Sequence, residues 1–161
     1  MKKKYAVVLF ALALVVGFVG YNTYDRATSP QFVPDKKITD NIHYTTVVLA
    51  GGCFWCTESE FNHLPGVVSA ISGYADSEKV NPSYSEVGSE KVKAREAVQV
   101  IYNPDLIDIH TLLEVYWKHI DPTDTGGQFG DRGHQYTTAI YYTNNIQKKE
   151  AEELKQKINV T

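Results

Sequence analysis

From residue 43 onward the chain switches repeatedly between two spacings of apolar positions. Residues 43–50 (HYTTVVLA) are rich in β-branched and aromatic residues and stop at Gly51-Gly52, which predicts a strand. Residues 53–64 read as a helix, with Phe54, Trp55 and Phe61 apolar and Pro65-Gly66 as the stop. Further strands are predicted over 67–74, over 94–102, where Asn103-Pro104 ends the run, and over 136–143. Residues 109–120 carry Ile109, Leu112, Leu113, Tyr116, Trp117 and Ile120 at helical spacing, and residues 146–158 predict a charged last helix. The stretches 77–93 and 121–134 are polar or glycine-rich and read as loops. The order β-α-β-β-α-β-α predicts an α+β fold: a two-layer sandwich with a split βαβ (ferredoxin-like) core and extra helix and loops.

The N-terminal part has another pattern. Met1-Lys2-Lys3-Lys4 is basic, and residues 5–21 (YAVVLFALALVVGFVGY) are uncharged. A spanning helix needs roughly 20 residues, so this run of 17 is at the short limit. Residues 1–21 are expected to be a signal peptide or an uncleaved membrane anchor, with no clear A-x-A cleavage site to decide between them. Lysines before the run favour a cytoplasmic N-terminus, so the domain is expected outside the cytoplasm. Residues 22–41, with Pro30 and Pro34 and no periodicity, read as a linker, and residues 42–161 as the catalytic domain.

Composition adds bounds. A chain of 161 residues with 43% hydrophobic residues fits one globular domain that needs no disulfide staple. The net charge of −3 hides an asymmetry. Lys2, Lys3, Lys4 and Arg26 face Asp25 alone near the start, leaving 12 of the 16 basic and 18 of the 19 acidic residues in the remainder. Such a domain does not read as a nucleic-acid surface. A monomer is the default expectation.

The chemistry centres on Cys53 and Cys56, the only two cysteines. A C-x-x-C pair is a redox couple or half a metal site, and no second half exists here. The loop it closes is too small for a useful staple. Cys53 follows Gly51-Gly52 and opens the predicted helix, whose free N–H groups and positive dipole end favour a thiolate. Cys53 is therefore the expected nucleophile, and Cys56, one turn on, is suited to resolve an oxidised Cys53. The large aromatics between them suggest a thiol that works against an apolar substrate group.

Two further signals are weaker. Strand alternation puts Glu96 on one face with Val98, Val100 and Tyr102; a carboxylate there has a raised pKa and can donate a proton near neutrality. A strand-end Glu pointing to solvent fits the spacing equally well. The loop of residues 121–136 contains four glycines, and long loops in compact domains are often functional. His134 in that loop is a possible base for Cys53, although a lone loop His is more often solvated. Tyr84, after Asn81-Pro82-Ser83, reads by itself as a packing aromatic.

These segments together resemble one family. Gly52-Cys53-Phe54-Trp55, Asn81-Pro82-Ser83-Tyr84, Arg95-Glu96-Ala97-Val98-Gln99-Val100, Asp121-Pro122-Thr123, Gly127-Gln128-Phe129 and residues 131–136 are similar, in order, to peptide methionine sulfoxide reductase A. The resemblance runs from about residue 45 to residue 158. It implies that Cys53 attacks the sulfur of a methionine (S)-sulfoxide, whether peptide-bound or free. It implies that Phe54 and Trp55 hold the substrate methyl, and that Glu96 protonates the departing oxygen with help from Tyr84 and Tyr136. Asp131 matches the motif Asp that helps position the site. The sulfenic acid on Cys53 would condense with Cys56, and a thioredoxin-like partner would reopen the disulfide. No metal or tightly bound cofactor is implied.

Three departures stand out. Many relatives carry Gly at the position of Cys56 and place resolving cysteines further on; with no Cys after Cys56, this chain is expected to resolve through Cys56 alone. Lys93-Ala94 stands where Gly-His is frequent, and Thr137 where Arg is common. Other classes fit less of the sequence. A thioredoxin-like disulfide oxidoreductase usually has small residues or Pro between its cysteines. A Cys–His hydrolase built on Cys53 and His134 leaves Cys56 idle. A membrane-tethered binding module leaves both cysteines unexplained.

Overall fold

The computed structural model describes residues 43–159; the expected leader (1–21) and linker (22–41) lie outside them. Among the described residues, no helix is long and apolar enough to cross a membrane. Four strands form the main sheet: β1 (Thr45–Ala50), β2 (Val67–Ala75), β3 (Arg95–Tyr102) and, last in the chain, β6 (Ala139–Tyr141). Their order is β2-β3-β1-β6, and every neighbouring pair is antiparallel. Helices α1 (Phe54–Asn62), α3 (Ile109–His119) and α4 (Asn145–Asn159) accompany the sheet, and the α+β class holds.

The elements form where the spacing places them, and their ends have local causes. Helix α3 starts at Asp108, whose carboxylate accepts the Thr111 N–H at 2.7 Å. It buries Ile109, Leu112, Leu113 and Tyr116, one face of the helix, against Val47, Leu49, Val98 and Val100 of the sheet. The buried Gln147 amide ties α4 to β1, donating to the Thr46 carbonyl at 2.9 Å while it accepts the Thr143 N–H at 2.7 Å. Both faces of β3 are covered, since Ala97 and Ile101 are buried as well as Glu96, Val98, Val100 and Tyr102.

Helix α1 is fastened to the outer side of β2 by polar side chains. Asn62 donates to the Ala70 carbonyl at 3.2 Å and accepts the Ala70 N–H at 2.9 Å. Glu58 accepts the Ser72 N–H at 2.8 Å, and the Ser72 hydroxyl donates to the Phe54 carbonyl at 3.2 Å. These bonds orient the helix that carries both cysteines.

Three regions differ from the sequence expectation. The expected loop over 77–93 contains a short helix, α2 (Tyr84–Gly88), opened by a Ser83/Glu86 capping box. The expected loop over 121–134 contains a hairpin of β4 (Gly127–Gln128) and β5 (Asp131–Arg132). The expected strand over 136–143 is shorter: a 3-10 turn (His134–Tyr136) takes its start, leaving only Ala139–Tyr141 in the sheet.

Candidate active site

Cys53 is the N-cap of α1, with an extended backbone, and its carbonyl accepts the Cys56 and Thr57 N–H groups at 3.1 and 3.2 Å. The turn before it depends on two glycines. Gly52 has φ +88°, a left-handed conformation that L side chains avoid. A Cβ at Gly51 would come within 2.7 Å of Ile120 Cγ2. Directly beneath, the Tyr116 hydroxyl donates to the Ala50 carbonyl at 2.7 Å and fixes the end of β1. The strand-to-helix turn thus presents Cys53 half-buried and Cys56 exposed, with both thiols free. The Cys56 thiol is pushed above its ordinary range, chiefly by negative charge on Cys53, then by a hydrogen bond to Cys53 and by burial. The two sulfurs are neighbours.

Glu96 is the second element of the site. Its register partner on β2 is Tyr74, and it is 4% exposed. Its Oε2 accepts the Phe54 N–H at 3.1 Å, which brings the carboxyl to the N-terminal turn of α1. Burial raises its pKa to about 7, against the lowering effect of that hydrogen bond, with a smaller push from Asp131. Desolvation wins because the Phe54 N–H is the single hydrogen bond that offsets it. The carboxyl is held near the midpoint of its titration at neutral pH.

Tyr84 opens α2, and Tyr136 closes the 3-10 turn. Both phenols are pushed above their ordinary range, first by burial and then by the charge of Glu96; Asp131 and Cys53 add to each. Their common charged neighbours place the two hydroxyl-bearing rings around one point with Cys53, Glu96 and Asp131. Phe54, 1% exposed, packs behind Trp55 at 5.2 Å between ring centroids, and Trp55 stacks on Tyr84 at 5.6 Å and 14°. Trp55 is 56% exposed, so the aromatic wall opens to solvent beside the thiol.

Asp131 reaches this point from the β4–β5 hairpin. The buried Gln128 amide holds the hairpin to the end of α3, accepting the Asp121 N–H at 2.6 Å and donating to the Asp121 carbonyl at 3.0 Å. Arg132 donates to Asp124 at 3.0 Å and closes the loop from outside.

His134 stands elsewhere. Its neighbours are Arg95, Lys93 and Asp76, and burial followed by those two cations lowers its pKa. None of the groups that shift its titration is Cys53. The departures at Lys93 and Thr137 fall in the same place. Thr137 accepts from the Arg95 Nε at 2.9 Å and donates to the His134 carbonyl at 2.7 Å. Arg95 also pairs with Asp76 and donates to the Tyr141 hydroxyl at 3.3 Å. It therefore joins β2, β3, β6 and the turn that carries Tyr136. The sequence reading missed this positioning role, and missed those of Gln128 and Asn62. A buried or half-buried polar residue reveals its role through partners distant in sequence.

A family model described as peptide methionine sulfoxide reductase matches residues 45–161. The chain belongs to the peptide methionine sulfoxide reductase family. Among curated members, it is 50% identical over 110 residues to peptide methionine sulfoxide reductase MsrA of Bacillus pumilus, covering 68% of this chain and 62% of that protein. It is 50% identical over 109 residues to MsrA of Bacillus subtilis, with 68% and 62% covered. The chain thus spans about three fifths of the length of these reductases. Among solved structures, methionine sulfoxide reductase A of Corynebacterium diphtheriae matches with TM-score 0.66 and 28% identity, over 80% of this chain and 60% of that one. Mxr1 of Saccharomyces cerevisiae in reduced form matches with TM-score 0.66 and 27% identity, over 76% and 75%.

Proposed function

We propose that this protein is a peptide-methionine (S)-S-oxide reductase that repairs oxidised methionine with thiols alone. The observation that carries the reading is the buried Glu96 carboxyl, titrating at about 7 and bonded to the N–H next to Cys53. A nucleophilic thiol beside a protonated acid suits displacement at a sulfoxide, where oxygen leaves only if it is protonated.

The Cys53 sulfur attacks the sulfoxide sulfur while Glu96 gives its proton to the oxygen. Tyr84 and Tyr136 hydrogen-bond that oxygen as its charge develops, and Asp131 keeps the cluster in register. The protonated oxygen then passes from the methionine sulfur to the Cys53 sulfur: the methionine sulfur–oxygen bond breaks as the Cys53 sulfur–oxygen bond forms, methionine departs as the sulfide, and Cys53 is left as a sulfenic acid. Cys56 then attacks the Cys53 sulfur, releasing water and forming the Cys53–Cys56 disulfide. A thioredoxin-like dithiol reduces that disulfide by exchange. One sulfoxide and two external thiols thus give one sulfide, one disulfide and one water. The methyl of the substrate lies against Phe54 and Trp55. No step calls for a metal or a bound cofactor.

We read the strand order β2-β3-β1-β6, antiparallel throughout, as the split βαβ (ferredoxin-like) arrangement. Export by residues 1–21, as a cleaved signal or an anchor, is part of the proposal. It rests on the basic start and the uncharged run that follows.

The test is single-turnover reduction of N-acetyl-methionine sulfoxide, each epimer separately, by the pre-reduced protein, with thiols counted before and after. One S-sulfoxide reduced and two thiols lost per chain is the expected result. Product with one thiol lost removes Cys56 as resolver. No product from either epimer removes the reductase reading and leaves disulfide exchange.

A further inference from the structure

We infer that Phe129 is a specificity-determining residue that receives an apolar side chain next to the oxidised methionine of a polypeptide; the inference rests on the reductase reading above. Three observations meet at this residue.

The first is exposure. Phe129 is 72% exposed, on a hairpin otherwise held by the buried Gln128. A large aromatic ring at a loop tip loses the stabilisation that burial would give it. The second is its backbone. Phe129 has φ +51°, while its neighbour Gly130 does not take up the left-handed position. A two-residue hairpin with one left-handed residue would ordinarily give that position to Gly or Asn. Here the chain puts Phe in the disfavoured conformation although Gly is next to it. Neither packing nor turn chemistry explains this choice of residue.

The third is location. Phe129 lines a cavity of about 150 Å³ that also includes Cys53 and Cys56. Phe61, Tyr116 and Ile120 contribute apolar surface to it, while Glu60 and Asp131 bring acidic groups. The cavity shares Cys53 and Asp131 with the sulfoxide cluster but includes none of Glu96, Tyr84, Tyr136 or Trp55. It is therefore a second recess reached from the same sulfur. A methionine sulfoxide placed for attack by Cys53 uses the Glu96 side, so its neighbour in a polypeptide can enter this one. The apolar surface suits an aliphatic or aromatic side chain; Glu60 faces His119 at 3.4 Å, and the Asp131 carboxylate repels an acidic side chain. Free methionine sulfoxide has no group to put there.

The test compares two substrates on the full chain: methionine (S)-sulfoxide flanked on both sides by leucine in a blocked tripeptide, and N-acetyl-methionine (S)-sulfoxide amide. Phe129→Asn accepts the left-handed backbone and removes the ring, so it separates recognition from folding. The expected result is a fall of about tenfold in kcat/KM for the tripeptide, mostly in KM, with the amide within about twofold. Phe129→Leu should restore most of the tripeptide rate. Equal falls for the two substrates, or a tripeptide rate unchanged in Phe129→Asn, would overturn the inference and leave the reductase reading intact. A wild-type protein that reduces neither substrate would overturn both.

Discussion

The Glu96 carboxylate accepts the backbone N–H of Phe54, the residue that follows Cys53, at 3.1 Å. Glu96 and Cys53, the proposed proton donor and nucleophile, are thus linked through one peptide unit rather than through a chain of side chains. Any movement of the N-terminal turn of α1 moves both. Replacing Glu96 with Gln keeps an acceptor for Phe54 and removes the transferable proton. Turnover of the S-sulfoxide should fall about 10²–10⁴-fold, with KM changed little. The wild-type rate should decline above a pH near 7, where Glu96 loses its proton, and Glu96→Gln should lack that descending limb. A pH–rate profile of both proteins decides it.

The same titration acts on stability. The folded pKa of about 7 lies above the ordinary 4.5, so the fold prefers the protonated carboxyl. Its favourable contribution is complete below pH 4.5 and is lost as pH rises through 7. Wild type should therefore lose stability relative to Glu96→Gln across that window, measured by urea denaturation at pH 4.5, 6 and 8. Parallel curves at all three would show that the carboxyl is ionised in the fold.

Cys56→Ser should complete one stoichiometric reduction and then stop under a thioredoxin system, because the neighbouring thiol that would close the disulfide with Cys53 is gone. Cys53→Ser should give no product at all. Full thioredoxin-driven turnover in Cys56→Ser would sink the resolving role.

Gly52→Ala would place a side chain at φ +88°, with its Cβ 3.1 Å from Gln128 Cβ. The expected loss is about 1–2 kcal/mol of stability from the left-handed backbone. A larger fractional loss of kcat should accompany it, because the turn sets the direction of Cys53. Denaturation midpoints and kcat measured on one preparation separate the two effects.

Asn62→Ala removes both partners of Ala70's backbone groups. Leaving part-buried donors and acceptors unpaired costs about 1–3 kcal/mol. Hydrogen exchange should show the loss concentrated at Ala70 and Ser72.

The sequence made most of the sheet and the long helices legible because their burial is periodic. Val47, Leu49, Val98 and Val100 follow strand spacing, and Leu112, Leu113 and Tyr116 follow helix spacing. Cys53 was legible because Gly51-Gly52 marks the turn, and Glu96 because it sits in an apolar strand. Tyr84 read as packing, since nothing local announces that its ring stacks on Trp55. The capping box at Ser83 and Glu86 was in plain sight, and the polarity of its surroundings hid the helix it opens. The hairpin at Gly127–Arg132 has strands of two residues, too short for any period to show. Gln128 and Arg95 act through partners that the fold alone brings near.

Asn62 and Glu58 have a consequence beyond orienting α1. β2 is an outermost strand of the sheet, and at Ala70 and Ser72 its free hydrogen-bonding groups are occupied by side chains of the helix that carries the two thiols. That helix is also a guard against strand addition from another molecule. If oxidative damage or heat were to lift α1, the protein would lose its chemistry and bare an aggregation-prone edge in one event. A protein built this way fails all at once, because the helix that carries the thiols is the one that covers the edge.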